Sequence, residues 1–172
     1  MKESKKANKL FYENDTLSVL FNFYKEGLVI GLTNKSGEQI KIKWDELRMA
    51  ENGIDKKIEH IQISKKEIIV FQPPSIISPK SECTDLVVYA DNIYYLKQSG
   101  KETMKIKDFF PSKVNNSKRD SIENLKGQRI TLLFPIEIKN LSHSWIFHFL
   151  LEDIKSRRTV NAGDIFLASI PL

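Results

Sequence analysis

The sequence is poor in residues that support covalent or metal chemistry. Its 172 residues include one cysteine, Cys83, and three histidines. A single cysteine cannot form an intramolecular disulfide, which excludes a secreted disulfide scaffold. Seven glycines and six prolines are too few for a collagen-like or low-complexity chain. No run of about 18 apolar residues is present, so the sequence predicts no membrane-spanning helix.

Familiar catalytic motifs are also missing. The sequence contains neither a Gly-x-Ser-x-Gly motif nor a glycine-rich phosphate loop. Cys83 lacks the basic neighbours that stabilise a thiolate, which predicts an inert thiol. His60 lies in an alternating segment that predicts an outward side chain, and His143 and His148 have opposite parity on a strand. We therefore expect a non-enzymatic protein with no catalytic, metal-binding or cofactor-binding residue.

The strongest positive signal is alternation of apolar and polar side chains. It is clearest from residue 128 to residue 153, where two long alternating runs flank a short polar turn and predict an antiparallel hairpin. Its apolar face is the largest single part of the expected core. The parity of the two runs predicts that Phe134 lies opposite Phe147 or Phe149 on the buried face. Pro135 has the opposite parity and is expected either at a bulge or with its nitrogen directed away from the ladder.

A second alternation of the same kind precedes this hairpin. Ile40, Ile42 and Trp44 are predicted to face the core, and Lys41 and Lys43 to face solvent. Counting eight to ten short strands with almost no helical period, we predict an all-β fold. The architecture expected is a single antiparallel β-sandwich with a long C-terminal hairpin.

Charge and periodicity together predict the domain organisation. Residues 1–10 are interpreted as a polar leader or tether, and residues 11–172 as one β-sandwich domain. The net charge is +5, of which residues 1–9 contribute +3 and residues 112–129 contribute another +3. The remainder is close to neutral, so the positive charge is concentrated in predicted loops or tails. Such segments are more often solvated than binding surfaces.

The 112–129 loop supports an alternative function. A cytosolic basic β-domain could bind nucleic acid through the basic residues of this loop. Those residues are Lys113, Lys118, Arg119, Lys126 and Arg129. We regard nucleic acid as the less favoured partner because the charge is confined to a segment without periodicity.

Several short runs follow one another in a recognisable order. They are Leu32–Ser36, Ile40–Asp45, Gly53, Glu59-His60, Gln72–Pro74, Ile77–Ser81 and Leu133–Ile136. This order resembles that of immunoglobulin-like sandwich proteins of bacterial cell envelopes, many of them lipoproteins of unknown function. The resemblance implies an immunoglobulin-like topology and carries over no catalytic residue. It also implies an envelope location, periplasmic or membrane-anchored, if a leading signal or anchor segment has been removed, and a cytoplasmic location otherwise.

The leading hypothesis is a cell-envelope binding or assembly module with an unknown protein or glycan partner. Membrane association is expected only through an N-terminal lipid anchor that this chain lacks. Tyr89, Tyr94 and Tyr95 lie in neighbouring predicted strands and form the candidate binding surface. Tyrosines combine an apolar ring with a polar tip, and core packing is the favoured role for all three over a contact surface.

Overall fold

A computed structural model describes residues 10–24, 26–63, 68–70, 73–109, 127–154 and 165–171. Over these ranges the chain is built from short strands, with three-residue 3₁₀ turns at Trp44–Glu46 and Ala90–Asn92. The strands are β1 (Leu10–Glu13), β2 (Leu17–Phe23), β3 (Leu28–Asn34), β4 (Ile40–Ile42), β5 (Arg48–Glu51), β6 (Ile54–Lys56), β7 (Ile58–Ile63), β8 (Ile68–Val70), β9 (Ser75–Ile77), β10 (Glu82–Tyr89), β11 (Ile93–Gln98), β12 (Lys101–Ile106), β13 (Arg129–Ile138), β14 (Leu141–Ile154) and β15 (Ile165–Pro171). In the part of the chain so described, no helix has the length and apolar composition of a membrane span.

The strands form two large antiparallel sheets. The first has the order β1-β2-β3-β10-β7-β8. The second has the order β15-β14-β13-β4-β9. β5 pairs with the same edge of β13 as β4 does, and β6 pairs with the other edge of β5. The all-β prediction is confirmed, and every strand pairing described is antiparallel. β1 begins at Leu10, one residue before the predicted start of the domain.

The two sheets share one apolar core. Phe21 of the first sheet contacts two rings of the second, with centroid separations of 4.7 Å to Phe147 and 5.3 Å to Phe149. Phe134, Phe147 and Phe149 are at most 1% exposed. Because aromatic side chains bury the largest apolar areas, these rings dominate the attraction between the sheets. The prediction that the C-terminal hairpin supplies the core face is confirmed.

The predicted register of that hairpin is wrong by two residues. Phe134 lies opposite Trp145, and Phe147 lies opposite Leu132. The turn is tighter than expected, because only Lys139 and Asn140 lie between the paired residues Ile138 and Leu141. Both have positive φ, 52° and 62°, which is the conformation of a two-residue type I′ turn.

The partner strand on the other edge of β13 is interrupted. β4 ends at Ile42 and β5 begins at Arg48, so five residues of this segment lie opposite two residues of β13. Pro135 is one of those two. Its pairing with Ser144 in the hairpin is regular, so it is not at a bulge of that ladder. Its carbonyl oxygen accepts from the Lys43 N–H on the opposite edge, which agrees with the alternative that its nitrogen is directed away from the hairpin ladder. Trp44 lies in the interruption and is 3% exposed, so its predicted burial is confirmed although it belongs to a 3₁₀ turn.

Strands β11 and β12 form a separate two-stranded sheet. Its base packs on the outer face of the first sheet, where Met104 joins Ile61 and Val88 in a second, smaller buried cluster. β7 and β10 therefore have apolar cover on both faces near this cluster.

Candidate functional site

The three tyrosines of the predicted surface do not form one surface. Tyr89 packs against the main core and stacks on Phe109, with 4.4 Å between ring centroids. Its burial raises the pKa of the phenol, and the carboxylate of Glu51 adds to the effect. Tyr94 and Tyr95 lie on the β11–β12 hairpin and are 37% and 59% exposed. Tyr89 therefore has a core role, and the exposed pair lies on the hairpin.

The hairpin exposes three large side chains in succession. Leu96 follows the two tyrosines and is 47% exposed. Ser99 and Gly100 form the turn, both with positive φ, and fix the cross-strand pairing. Successive residues of a strand point to opposite faces, so Tyr94 and Leu96 share the outer face while Tyr95 lies on the face of Met104. Apolar surface is thus exposed on both faces of the hairpin.

Lysines surround the tyrosine and leucine of the outer face. Lys105 lies directly opposite Tyr94 in the ladder, and Lys107 Nζ lies 5.9 Å from the centroid of the Tyr94 ring. Lys101 shares this face at the turn end of β12. We call Tyr94, Leu96, Lys101, Lys105 and Lys107 the basic hairpin face. Within the described residues, none of its three lysines forms an ion pair with a carboxylate, and all three are exposed.

A buried polar cluster connects the two sheets elsewhere in the molecule. His60, predicted to point outward, is 3% exposed and faces inward from β7. Its Nε2 lies 2.9 Å from Asp85 Oδ1. A carboxylate can only accept, so the imidazole donates this hydrogen bond. The prediction for His60 is wrong because both faces of β7 are covered, and alternation alone does not identify which face meets the main core.

Trp44 and Ser75 complete this cluster from the second sheet. The Trp44 Nε1–H donates to Ser75 Oγ at 2.8 Å, and Ser75 Oγ lies 3.5 Å from Asp85 Oδ2. In a serine-nucleophile triad the imidazole lies between the hydroxyl and the carboxylate. Here the carboxylate lies between them, so the described hydrogen bonds do not place a base on the serine. The arrangement satisfies buried polar groups rather than activating a nucleophile.

Cys83 lies in a setting that disfavours the thiolate. It lies two residues before Asp85 on β10 and is partly buried against the main core. Burial, with the Asp85 charge as the second cause, raises the pKa of the thiol to about 12. The nucleophilic thiolate is therefore scarce at neutral pH.

Two open clefts lie away from the hairpin. Their volumes are about 450 Å³, beside β4 and the β13–β14 turn, and about 580 Å³, between Trp44 and residues 55–59. Their walls contain three ion pairs: Lys139–Glu38 at 3.1 Å, Lys41–Glu137 at 3.7 Å and Lys57–Glu59 at 3.0 Å. Charges that already have partners attract a ligand weakly, so we place the candidate surface on the hairpin.

The other residues singled out in the sequence are dispersed. His143 is exposed on β14, and His148 lies 3.0 Å from Thr131 Oγ1 through its Nδ1. Over the described ranges, no three histidine, cysteine or acidic side chains come together as metal ligands. Arg129 is exposed at the start of β13. Residues 112–126, with the other four basic residues of the alternative nucleic-acid site, lie outside the described residues.

Comparison of the chain with protein-family models, with curated proteins and with solved structures finds no match in any of the three.

Proposed function

We propose that this protein is a non-enzymatic binding or assembly module that contacts its partner through the β11–β12 hairpin. The observation that carries the proposal is the consecutive exposure of Tyr94, Tyr95 and Leu96, at 37%, 59% and 47%. Isolated exposed apolar residues are common on proteins, whereas adjoining ones more often mark an interaction site. Tyrosine is also enriched at interfaces, since it contributes contact area and a polar tip together.

The hairpin is well placed for such a role. Its base is fixed to the first sheet by Met104, Ile93 and Ile106, while the strand ends near the turn are exposed. A rigid base limits the conformational entropy lost when the exposed side chains of β11 bind a partner. The buried cluster of His60 and Asp85, by contrast, supports a structural role for the most enzyme-like group of side chains.

The location proposed is the bacterial cell envelope. Its support is the resemblance of the sequence to immunoglobulin-like envelope proteins, and the immunoglobulin-like topology belongs to the same proposal. A protein or glycan of the envelope is then the expected partner. The alternative is a cytoplasmic domain that binds nucleic acid through residues 112–129, supported by the charge of +3 in that segment.

A retention experiment with matched variants tests the proposal. The full chain is immobilised and incubated with detergent-solubilised envelope proteins and, separately, with purified cell-wall glycans. The variant Tyr94→Ser/Tyr95→Ser/Leu96→Ser is compared with Ile54→Ser/Ile76→Ser/Leu141→Ser, whose three residues are 64–65% exposed elsewhere. We expect the hairpin variant to lose retained material and the control to keep it.

The opposite results are equally informative. Equal retention by both variants would contradict the hairpin as the binding surface. Salt-sensitive binding of a labelled oligonucleotide, lost in Lys113→Gln/Lys118→Gln/Lys126→Gln, would favour the alternative function. Thermal melting of each variant establishes that the domain is folded before binding is compared.

A further inference from the structure

We infer that the basic hairpin face docks on an anionic lipid surface. This inference rests on the proposed function, because both assign binding to the β11–β12 hairpin, and it names anionic membrane lipid as a further partner of that hairpin beside the expected protein or glycan. It also differs from the membrane association predicted from the sequence, which required a lipid anchor ahead of residue 1.

Charge complementarity is the first argument. The outer face of the hairpin carries Lys101, Lys105 and Lys107, and no carboxylate of β11 or β12 shares that face. Glu102, the acidic residue of the two strands, lies on the other face opposite Lys97. A local charge of +3 without described ion-pair partners favours a polyanionic surface. Each lysine near an anionic membrane contributes about 1 kcal/mol, or roughly a fivefold change in partitioning.

Apolar side chains exposed beside the lysines favour lipid over a soluble polyanion. Tyr94 and Leu96 project from the outer face, and Tyr95 projects from the opposite one. The turn end, residues 97–102, is polar, so the outer face rather than the tip would enter the bilayer interface, with Tyr94 and Leu96 at the acyl boundary and the neighbouring lysines at the headgroups. Tyrosine rings are enriched at that interface, because the ring enters the acyl boundary and the hydroxyl stays hydrated.

The lysines are arranged to reach headgroups while the rings insert. Lys107 lies over the Tyr94 ring, and Lys105 lies beside it across the ladder. Lysine side chains extend their apolar stems along neighbouring rings and keep the ammonium group in the polar layer. The face therefore combines apolar contact area with charges that attract anionic headgroups, the two contributions with which interfacial membrane binding increases.

Vesicle sedimentation with the full chain tests the inference. The probes are vesicles of phosphatidylglycerol and phosphatidylcholine at a ratio of about 3:7 and vesicles of phosphatidylcholine alone. We expect binding to the anionic vesicles that weakens as salt rises, since the charges are exposed. Lys101→Gln/Lys105→Gln/Lys107→Gln should lower the partition coefficient by roughly 100-fold. Lys56→Gln/Lys57→Gln/Lys139→Gln, with the same loss of charge on another surface, should lower it far less.

A tryptophan introduced on the basic hairpin face distinguishes insertion into the bilayer from adsorption to its surface. In Leu96→Trp, we expect the tryptophan emission to shift to shorter wavelength with anionic vesicles, relative to the parent chain. The inference would be overturned if the two lysine triple variants lost vesicle binding equally, or if the chain bound anionic vesicles without the emission shift. Binding to heparin or duplex DNA without binding to vesicles would also overturn it, because that result would assign the face to a soluble polyanion.

The failure of this inference and the failure of the proposed function give different results. If the chain does not bind vesicles but still retains an envelope protein or glycan through the hairpin, only the lipid partner is refuted. If the chain does not bind vesicles and its retention of other partners does not depend on the hairpin, both the lipid inference and the proposed function are refuted.

Discussion

The imidazole ring of His60 lies nearly parallel to the indole ring of Trp44, with 4.2 Å between centroids and 14° between planes. His60 belongs to β7 in the first sheet, and Trp44 to the 3₁₀ turn of the second. The same imidazole donates a hydrogen bond to Asp85, two residues from the thiol of Cys83. One buried histidine thus contacts the opposite sheet and a carboxylate of its own sheet.

The first prediction concerns the loss of that carboxylate. Asp85→Ala leaves the buried His60 N–H without its acceptor, and an unsatisfied buried donor costs about 1–3 kcal/mol. We expect the free energy of unfolding, measured in urea, to fall by that amount. Asp85→Asn keeps an acceptor oxygen and should lose less. The exposed Asp91→Ala is the control, and an equal effect of Asp85→Ala and Asp91→Ala would contradict a structural role for the cluster.

The second prediction concerns stability at alkaline pH. Burial raises the pKa of the Cys83 thiol from 9.0 to about 12, so the unfolded chain loses this proton first as pH rises. The contribution to stability is present below pH 9.0 and is lost as pH rises through about 12. The pKa of Tyr89 is also raised, so its contribution to stability likewise decreases as pH rises above 10.0.

We therefore expect the free energy of unfolding to fall with pH above about 9, and to fall less steeply in Cys83→Ala. Tyr89→Phe should flatten the profile at still higher pH. Tyr24→Phe serves as the control because Tyr24 is 47% exposed. Urea titrations at several pH values measure the slope, and parallel profiles for Cys83→Ala and the parent chain would refute the assignment.

The alternation of apolar and polar residues correctly predicted which side chains are buried in strands that have one solvent-facing side. Ile40 and Ile42 are fully buried, and Lys41 and Lys43 extend into ion pairs with Glu137. The same rule failed for His60, since β7 is covered on one face by the main core and on the other by the β11–β12 hairpin. A strand buried on both sides has no polar face from which its orientation can be inferred.

Turn chemistry explains the remaining errors. Asn52-Gly53 is a strong sequence signal for a two-residue hairpin turn, and both residues have positive φ between β5 and β6. This signal predicts the strands β5 and β6, which pair on either side of it. Lys139-Asn140 carries no comparable signal, because lysine seldom adopts the left-handed conformation that the turn requires. Of the three tyrosines singled out in the sequence, Tyr94 and Tyr95 are exposed and Tyr89 is not.

The third prediction tests the turn at Lys139-Asn140. Lys139→Asn/Asn140→Gly creates the sequence preferred by type I′ turns and removes backbone strain at two positions with positive φ. We expect the free energy of unfolding to rise by roughly 1 kcal/mol, because the left-handed conformation costs ordinary residues about 1–2 kcal/mol. Asn140→Ala should lower it. Thermal melting measures both changes, and a loss of stability in the double variant would mean that the Lys139–Glu38 ion pair outweighs the strain.

The last prediction concerns the contact between Gly27 and β10. A Cβ atom at Gly27 would meet the backbone oxygen of Val87 and would lie 2.9 Å from Cγ1 of Val88. Backbone cannot move aside as a flexible side chain can, so Gly27→Ala should lower the free energy of unfolding by about 1–3 kcal/mol. Gly37→Ala is the matched control, because an added Cβ there has no neighbour within 4 Å.

Val88 also links this contact to the proposed binding surface. It belongs to the small buried cluster with Ile61 and Met104 that fixes the base of the β11–β12 hairpin. Displacing Val88 should therefore loosen the hairpin, and we expect faster amide hydrogen exchange in residues 93–106 of Gly27→Ala than of Gly37→Ala. If the two variants exchange equally in this segment while Gly27→Ala is destabilised, the hairpin is held independently of Val88.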